Sequence, residues 1–242
     1  MRKWQCAAGL CFLAASVALA ADNQAKQWIH VTKTDLADFA PGGTIHVNSS
    51  HGDLNIEAWD RPEVELTVTK STVGLYAAKD ADEARKRLDL IAVHLERKSA
   101  AELTIATNFP ARTLKRLCRG KSDIILRYQI HVPRDSQLII RHDTGTVLVS
   151  GVAGDVEARS RTGDIVLVLP GSEGYSIDAK VQFGAIDSDF GGASSRKRMV
   201  GHRLAFAPSA PKHKLFLRMG VGSISVETLP GQLRTAPDGL GK

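Results

Sequence analysis

A glycine, then a polar or small residue, then apolar residues two apart: this unit recurs along the chain at Gly43-Thr44-Ile45-His46-Val47, Gly52-Asp53-Leu54-Asn55-Ile56, Gly145-Thr146-Val147-Leu148-Val149, Gly154-Asp155-Val156, Gly163-Asp164-Ile165-Val166-Leu167, Gly184-Ala185-Ile186 and Gly222-Ser223-Ile224-Ser225-Val226. Glycine accepts a positive φ without steric cost, and period-2 alternation sends one set of side chains inward, so each unit reads as a tight turn feeding a short strand. Such repetition restricts the chain to an all-β body. The glycines at 145, 154 and 163 are nine apart, as are those at 43 and 52, which leaves about five residues for each strand.

Nine-residue units can stack as the edges of a parallel β-solenoid or pair as hairpins of an antiparallel β-sandwich. The same residue types recur at the same place in each unit, which favours a single-domain solenoid in which like positions lie above one another, ~4.8 Å apart. Glycine intervals of 21 and 38 before Gly184 and Gly222 then correspond to one and two turns of a coil with two units per turn, and Gly201-His202-Arg203-Leu204-Ala205-Phe206 reads as a degenerate copy in between. Asp53, Asp155 and Asp164 follow repeat glycines and are expected to hydrogen-bond backbone in the turns. They lack the paired glycines of a calcium-binding nonapeptide repeat.

Outside the repeats, Trp28 to Thr32 alternates as a first strand, broken from Asp35 to Pro41, and Val64 to Thr69 forms another. Lys79 to Leu88 is the one helical stretch: Asp80 and Glu83 have capping-box spacing, and Ala81, Ala84 and Leu88 share a face. Strands at Ile91–Leu95 and Leu103–Ile105 are expected to pair. The strongest β segment runs from Asp123 to Pro170.

The first 21 residues carry Arg2 and Lys3, an apolar run, and small residues Ala18 and Ala20, the pattern of a cleaved secretory signal too short for a convincing span. The β-repeat domain is assigned to 28–235. The whole chain has net charge +6, and the leader holds two of its 32 Lys and Arg and none of its 26 Asp and Glu, so the exported remainder is mildly basic. Of three cysteines only Cys118 lies beyond the leader, so no internal disulfide is expected. It sits among cations that favour a thiolate, but a small buried or half-buried hydrophobe in a solvated basic loop is the preferred reading. Nothing after residue 22 is long and apolar enough to span a bilayer.

The sequence has no nucleophile elbow, zinc helix, P-loop or Cys-x-x-Cys pair. No catalytic residue, cofactor or metal is assigned. His46, His51 and Asp53, or His142 and Asp143, could approach one another, but no spacing fixes a metal geometry and solvated histidines explain them. Asp155, Asp164, Asp187 and Asp189 are the carboxylates a β-helix glycosidase would use, but the three tryptophans, at 4, 28 and 59, make a poor sugar platform. The basic runs are the candidate contacts for an anionic ligand: Arg112, Lys115, Arg116, Arg119 and Lys121, then Arg196, Lys197, Arg198 and Arg203. Nucleic acid is not expected, because the leader directs export and aromatics do not interleave with these cations.

Tyr128-Gln129-Ile130-His131-Val132-Pro133, Leu138-Ile139-Ile140, Thr144-Gly145-Thr146-Val147, Gly151-Val152-Ala153-Gly154-Asp155-Val156, Thr162-Gly163-Asp164-Ile165 and the segments at 183–190 and 220–226 together resemble the bacterial putative adhesin family of exported repetitive β proteins. The likeness covers about residues 40 to 230, and the basic insertions at 112–121 and 196–214 depart from it. It implies a solenoid-like fold and an envelope or surface location and brings no catalytic residues; together with the leader and the basic runs, the chain reads as a periplasmic or secreted non-enzymatic binding or structural module, with an anionic envelope polysaccharide, lipid headgroup or envelope protein as partner. The alternatives are a periplasmic envelope-stress scaffold for another protein and, more remotely, a carbohydrate-active enzyme.

Overall fold

The computed structural model describes residues 26–110, 123–171, 174–190 and 201–229, and the backbone of 193–196. The signal segment 1–21, Cys118 and the basic residues Arg112, Lys115, Arg116, Arg119, Lys121, Lys197 and Arg198 lie outside the described residues. Along the chain come β1 (Gln27–Asp38), β2 (Thr44–His51), β3 (Asp53–Trp59), β4 (Glu63–Tyr76), α1 (Ala81–Asp89), β5 (Ala92–Ser99), β6 (Glu102–Asn108), β7 (Ile124–Pro133), β8 (Gln137–Ser150), β9 (Val156–Leu169), β10 (Tyr175–Ser188), β11 (Ala193–Arg196), β12 (His202–Phe206) and β13 (His213–Thr228). Among the described residues all thirteen strands belong to one mixed sheet, and with one short α-helix beside them the described body is all-β.

The long strands β8, β9, β10 and β13 each carry a repeat glycine near the middle, and there the burial pattern changes parity. On β8, Leu138 and Ile140 are buried before Gly145, and Val147 and Val149 after it. A straight strand would put these two sets on opposite faces, yet all four belong to one core cluster. Each long strand therefore turns a corner at its glycine and presents a first and a second arm to the same core. Gly145, Gly163, Gly184 and Gly222 have φ of 131°, 126°, 141° and 139°, a region that other residues enter only with strain.

These corners stack. Gly145 pairs with Gly163, Gly163 with Gly222, and Gly222 with Gly184 in parallel register. A Cβ at Gly145, Gly163, Gly222 or Gly184 would overlap the carbonyl oxygen of the glycine next in the column, at 52, 145, 163 and 222 respectively. The column thus excludes side chains on steric as well as conformational grounds. Above and below it, the inward Ile, Val and Leu of successive strands align, each worth ~1.5–3 kcal/mol when fully buried.

The first arms continue the order β5-β6-β2-β8-β9-β13-β10-β12-β11, and the second arms the order β1-β4-β7-β3-β8-β9-β13-β10. Stacked, in-register parallel strands are what the repeat predicts, but the path between them differs. A steadily coiling solenoid would set β10 beside β9; instead β13 lies between them. At the margins, β1 and β4 at one end and β12 and β11 at the other pair antiparallel. Neither a regular solenoid nor an antiparallel sandwich describes the pairing throughout.

Other local expectations are corrected. The degenerate copy at 201–206 is β12, antiparallel to β10 and so no further parallel unit. Gly43 and Gly154 precede first arms and stand outside the corner column. β1 does not break at Asp35, because its backbone pairs with β4 as far as Asp38↔Glu63. In α1, Ala81, Ala84 and Leu88 are buried together with Ile29 as expected, but the capping box is not made. A 3-10 turn over Ala78–Asp80 leads into the helix and leaves Asp80 at φ −100°, ψ −4° with no side-chain cap bond; a capping side chain needs an extended backbone. The pairing of β5 with β6 is as expected.

Candidate functional site

Counting back four residues from the corner glycines 52, 145, 163, 184 and 222 gives Asn48, Arg141, Arg159, Lys180 and Arg218. Because the corners are in register, so are these residues: Asn48 pairs with Arg141, Arg141 with Arg159, Arg159 with Arg218, and Arg218 with Lys180. Lys180 pairs in turn with Arg203 of β12. Five adjacent strands thus carry five cations in one row on the outward face of the first arms, spanning roughly 20 Å in four steps of ~4.8 Å. Each step is shorter than the ~8 Å screening length at physiological salt, so the row acts on a ligand as one field.

Like charges placed side by side on neighbouring strands destabilise a sheet, and local contacts offset part of that cost. Arg159 Nε donates to Glu157 at 2.8 Å. Arg218 spans to β10, donating to the Asp178 carboxylate and to its backbone carbonyl, each at 2.7 Å. Arg203 Nε donates to the same carboxylate at 3.3 Å. The hydrogen bond from Arg218 is the main reason the Asp178 carboxyl is held below the usual carboxylate range, with the charges of Arg218 and Arg203 adding to it against partial burial. The Arg218 guanidinium lies 3.6 Å from the centre of the Phe216 ring and Arg159 lies 5.0 Å from it. Arg141, Lys180 and the nearby Arg161 have no ion-pair partner among the described residues.

Beside the row a groove of about 1020 Å³ crosses β6, β2, β8, β9, β13 and β10. Its lining includes Arg141, Arg159, Arg161, Lys180 and Arg218 against a single carboxylate, Asp143, with Asn48, Ser50 and Gln182 toward the two ends. Along its floor lies His142, 5% exposed, whose Nδ1 meets the Ser49 carbonyl at 3.1 Å. Burial lowers the affinity of His142 for a proton, so the imidazole adds no positive charge at neutral pH. The expectation of solvated histidines fails here, because position 142 falls on the inward side of the first arm.

The residues singled out in the sequence are placed as follows. Arg203 ends the cation row, and Arg196 is on β11 next to it in the sheet, backbone position 196 pairing with His202. Asp53, Asp155 and Asp164 do bind backbone, but that of the neighbouring strand rather than their own turn. Asp53 accepts from Thr146 N at 3.1 Å, Asp155 from Lys214 N at 2.9 Å and Asp164 from Ser223 N at 3.1 Å. Asp189 accepts from Thr228 N at 3.0 Å, and Asp187 from Ser188 N at 3.1 Å. All five carboxylates are thereby tied to main-chain donors, beside the glycine corners or at strand ends. His46 faces Glu102 at 3.7 Å, and His51 meets the carbonyl of Ser50. No group of three or more His, Cys, Asp or Glu fit to hold a metal gathers among the described residues.

A search for runs of basic residues passes over Arg141, Arg159, Lys180 and Arg218, because each is isolated in its own unit. The signal was their common offset from the glycine, which becomes visible once the repeats are aligned on it.

No family model matches the chain, and neither does any curated protein. Solved structures with a similar course of chain include a putative cell adhesion protein from Clostridium sporogenes, 14% identical over 82% of this chain and 100% of the other, with a TM-score of 0.45. A putative adhesin from Bacteroides fragilis is 10% identical over 81% of this chain and 97% of its own, with a TM-score of 0.27. One from Parabacteroides distasonis is 9% identical over 81% and 65%, with a TM-score of 0.24. Among the described residues no helix is long and apolar enough to cross a membrane.

Proposed function

We propose that this chain is an exported, non-enzymatic, adhesin-like binding module that takes an anionic ligand of the cell envelope or surface on the outward face of its first arms. The observation that carries the reading is the row of five cations on five adjacent strands. Packing of the core does not require it, since these side chains point away from the core. A solenoid-like stack serves such a role by repeating one side-chain position at a fixed spacing over a flat surface. In this reading residues 1–21 direct export to the periplasm or beyond, 28–235 form the binding domain, and the basic residues at 112–121 and 196–198 add contacts to the ligand.

The test is retention on an envelope fraction, on phosphatidylglycerol vesicles and on polygalacturonate, at rising salt. Binding by this face weakens steeply as salt is raised from 50 to 500 mM, and the double variant Arg141→Gln, Lys180→Gln loses at least tenfold. Binding of all three materials unchanged by both the salt and the variant would refute the proposal.

A second reading, a periplasmic scaffold for a basic protein, is favoured by one observation: the outward side chains of the second arms include Asp187 and Glu227, both exposed, and no cation on the four long strands. In that case binding survives the double variant and is lost on Asp187→Asn, Glu227→Gln.

A further inference from the structure

We infer that the ligand of the first-arm face is a linear acidic polysaccharide, a uronate-type chain lying across the strands in the groove so that successive carboxylates meet successive cations. This rests on the reading that the face binds an anion, and adds which anion and in what direction.

The arrangement of charge is one-dimensional. Arg141, Arg159, Arg218, Lys180 and Arg203 occupy one position on successive strands, whereas two residues earlier the outward positions include Glu157 and Asp178 and two residues later Asp143. A planar anionic surface such as a bilayer would press phosphates against these three carboxylates as well as the cations. A single extended chain would follow the row, where Glu157 and Asp178 are already engaged by Arg159, Arg218 and Arg203, and would meet only Asp143 in the groove lining. The groove has the same direction, crossing six strands and continuing the row's positive lining with Arg161.

Spacing agrees with this. Cation-bearing strands are ~4.8 Å apart, comparable to the length of one sugar residue in an extended pyranose chain, so a carboxylate on each residue keeps step with the row. The uncharged lining also suits a glycan: Asn48 and Ser50 at one end and Gln182 at the other offer hydrogen bonds to hydroxyl groups. Single-stranded nucleic acid binding relies on open aromatic faces for base stacking. Here the ring on the face, Phe216, is flanked by Arg218 and Arg159.

The experiment is calorimetric titration of the protein with di-, tetra- and hexagalacturonate at 50 mM salt, with methyl-esterified hexamer, phosphatidylglycerol vesicles and oligo(dT) as comparisons. The expected result is affinity rising tenfold or more from dimer to tetramer and levelling off near the hexamer, with the ester at least tenfold weaker than the acid. Lys180→Gln at the β10 end of the groove lowers hexamer affinity three- to tenfold and leaves the dimer nearly unchanged, while Lys214→Gln, outside the groove, alters neither. Affinity independent of length, or equal for acid and ester, would overturn the inference. Vesicles or oligo(dT) bound more tightly than the hexamer would also overturn it, yet leave the anion-binding face standing. If no anion binds even at low salt, both readings fall.

Discussion

The two arms of the long strands share a backbone, a glycine corner and a core, and differ in the charge they turn outward. On β8, β9, β10 and β13 the outward residues of the first arms include six cations, Arg141, Arg159, Arg161, Lys180, Lys214 and Arg218, against three carboxylates, Asp143, Glu157 and Asp178. The second arms have no cation there and three carboxylates, Asp164, Asp187 and Glu227. Inward positions are mainly apolar on both arms, with His142 and Ser160 the buried polar exceptions on these strands. The hydrophobic pattern therefore builds the stack, and the outward pattern is free to specialise each side. The four long strands thus turn all of their outward positive charge to one side.

What separates the two faces is the corner, and removing it should have the largest effect. Gly163 lies inside the column, at φ 126° and against the carbonyl of Gly145. Gly163→Ala combines backbone strain with overpacking and is expected to cost about 3 kcal/mol or more. Gly74→Ala, where an added Cβ meets nothing within 4 Å, is the control and should leave the urea midpoint nearly unchanged. Equal midpoints for the two variants would mean that the column does not hold the arms in place.

Next in size is a pH effect seated under the cationic face. The His142 proton affinity is lowered from the ordinary imidazole value of 6.5, first by burial and then by the charge of His51, against raising hydrogen bonds from the Ser49 and Thr144 backbone and the charge of Asp143. As pH falls below about 6.5 the unfolded chain takes up a proton that the folded chain resists, so stability decreases toward acid. One proton can account for at most ~1.4 kcal/mol per pH unit, or about 2 kcal/mol between pH 6.5 and 5. His142→Gln should flatten the stability profile across that interval, and a variant profile parallel to the wild type's would show that burial of this imidazole carries no such penalty.

Much of this architecture was legible in the sequence. Strand alternation, the helix face of Ala81, Ala84 and Leu88, and the stacking of Gly145 on Gly163 follow from period and from glycine placement. The position of β13 between β9 and β10 could not be read, because hydrophobic alternation specifies which side of a strand is buried and is silent about its neighbour. Asp80 looked like a cap from spacing alone, and the 3-10 turn ahead of it was not visible. For the site, a search for contiguous basic runs found Arg203 and missed four other members of the row. A sheet assembles its surface across strands, so residues distant in sequence, such as Arg159 and Arg218, become neighbours at ~4.8 Å.

The faces also differ in what their charged groups do for stability. Asp164 on the second arm accepts from the backbone and hydroxyl of Ser223 on the adjacent strand. Asp164→Ala leaves that donor without its partner and should cost about 1–2 kcal/mol. Arg141→Gln, on the opposite face and with no ion-pair partner among the described residues, should shift stability by less than about 0.5 kcal/mol. Chemical denaturation of both variants checks the contrast, and a larger loss at Arg141 would mean that the cation row is structural.

The smallest effect distinguishes a patterned face from mere net charge. Asp187→Lys with Glu227→Lys makes the chain more basic by four charges, all on the second arms and none in the row. If net charge governs attraction, polyanion binding should strengthen strongly at low salt. If the ordered row governs it, hexagalacturonate affinity should change less than about threefold, or ~0.7 kcal/mol, because the added lysines occupy positions from which a chain seated in the first-arm groove is out of contact. Titration at 50 mM and 150 mM salt separates the two, since long-range attraction fades between these concentrations as the screening length falls toward 8 Å while contacts along the row persist. A tenfold gain that vanishes at the higher salt would make charge total, rather than register, the governing variable.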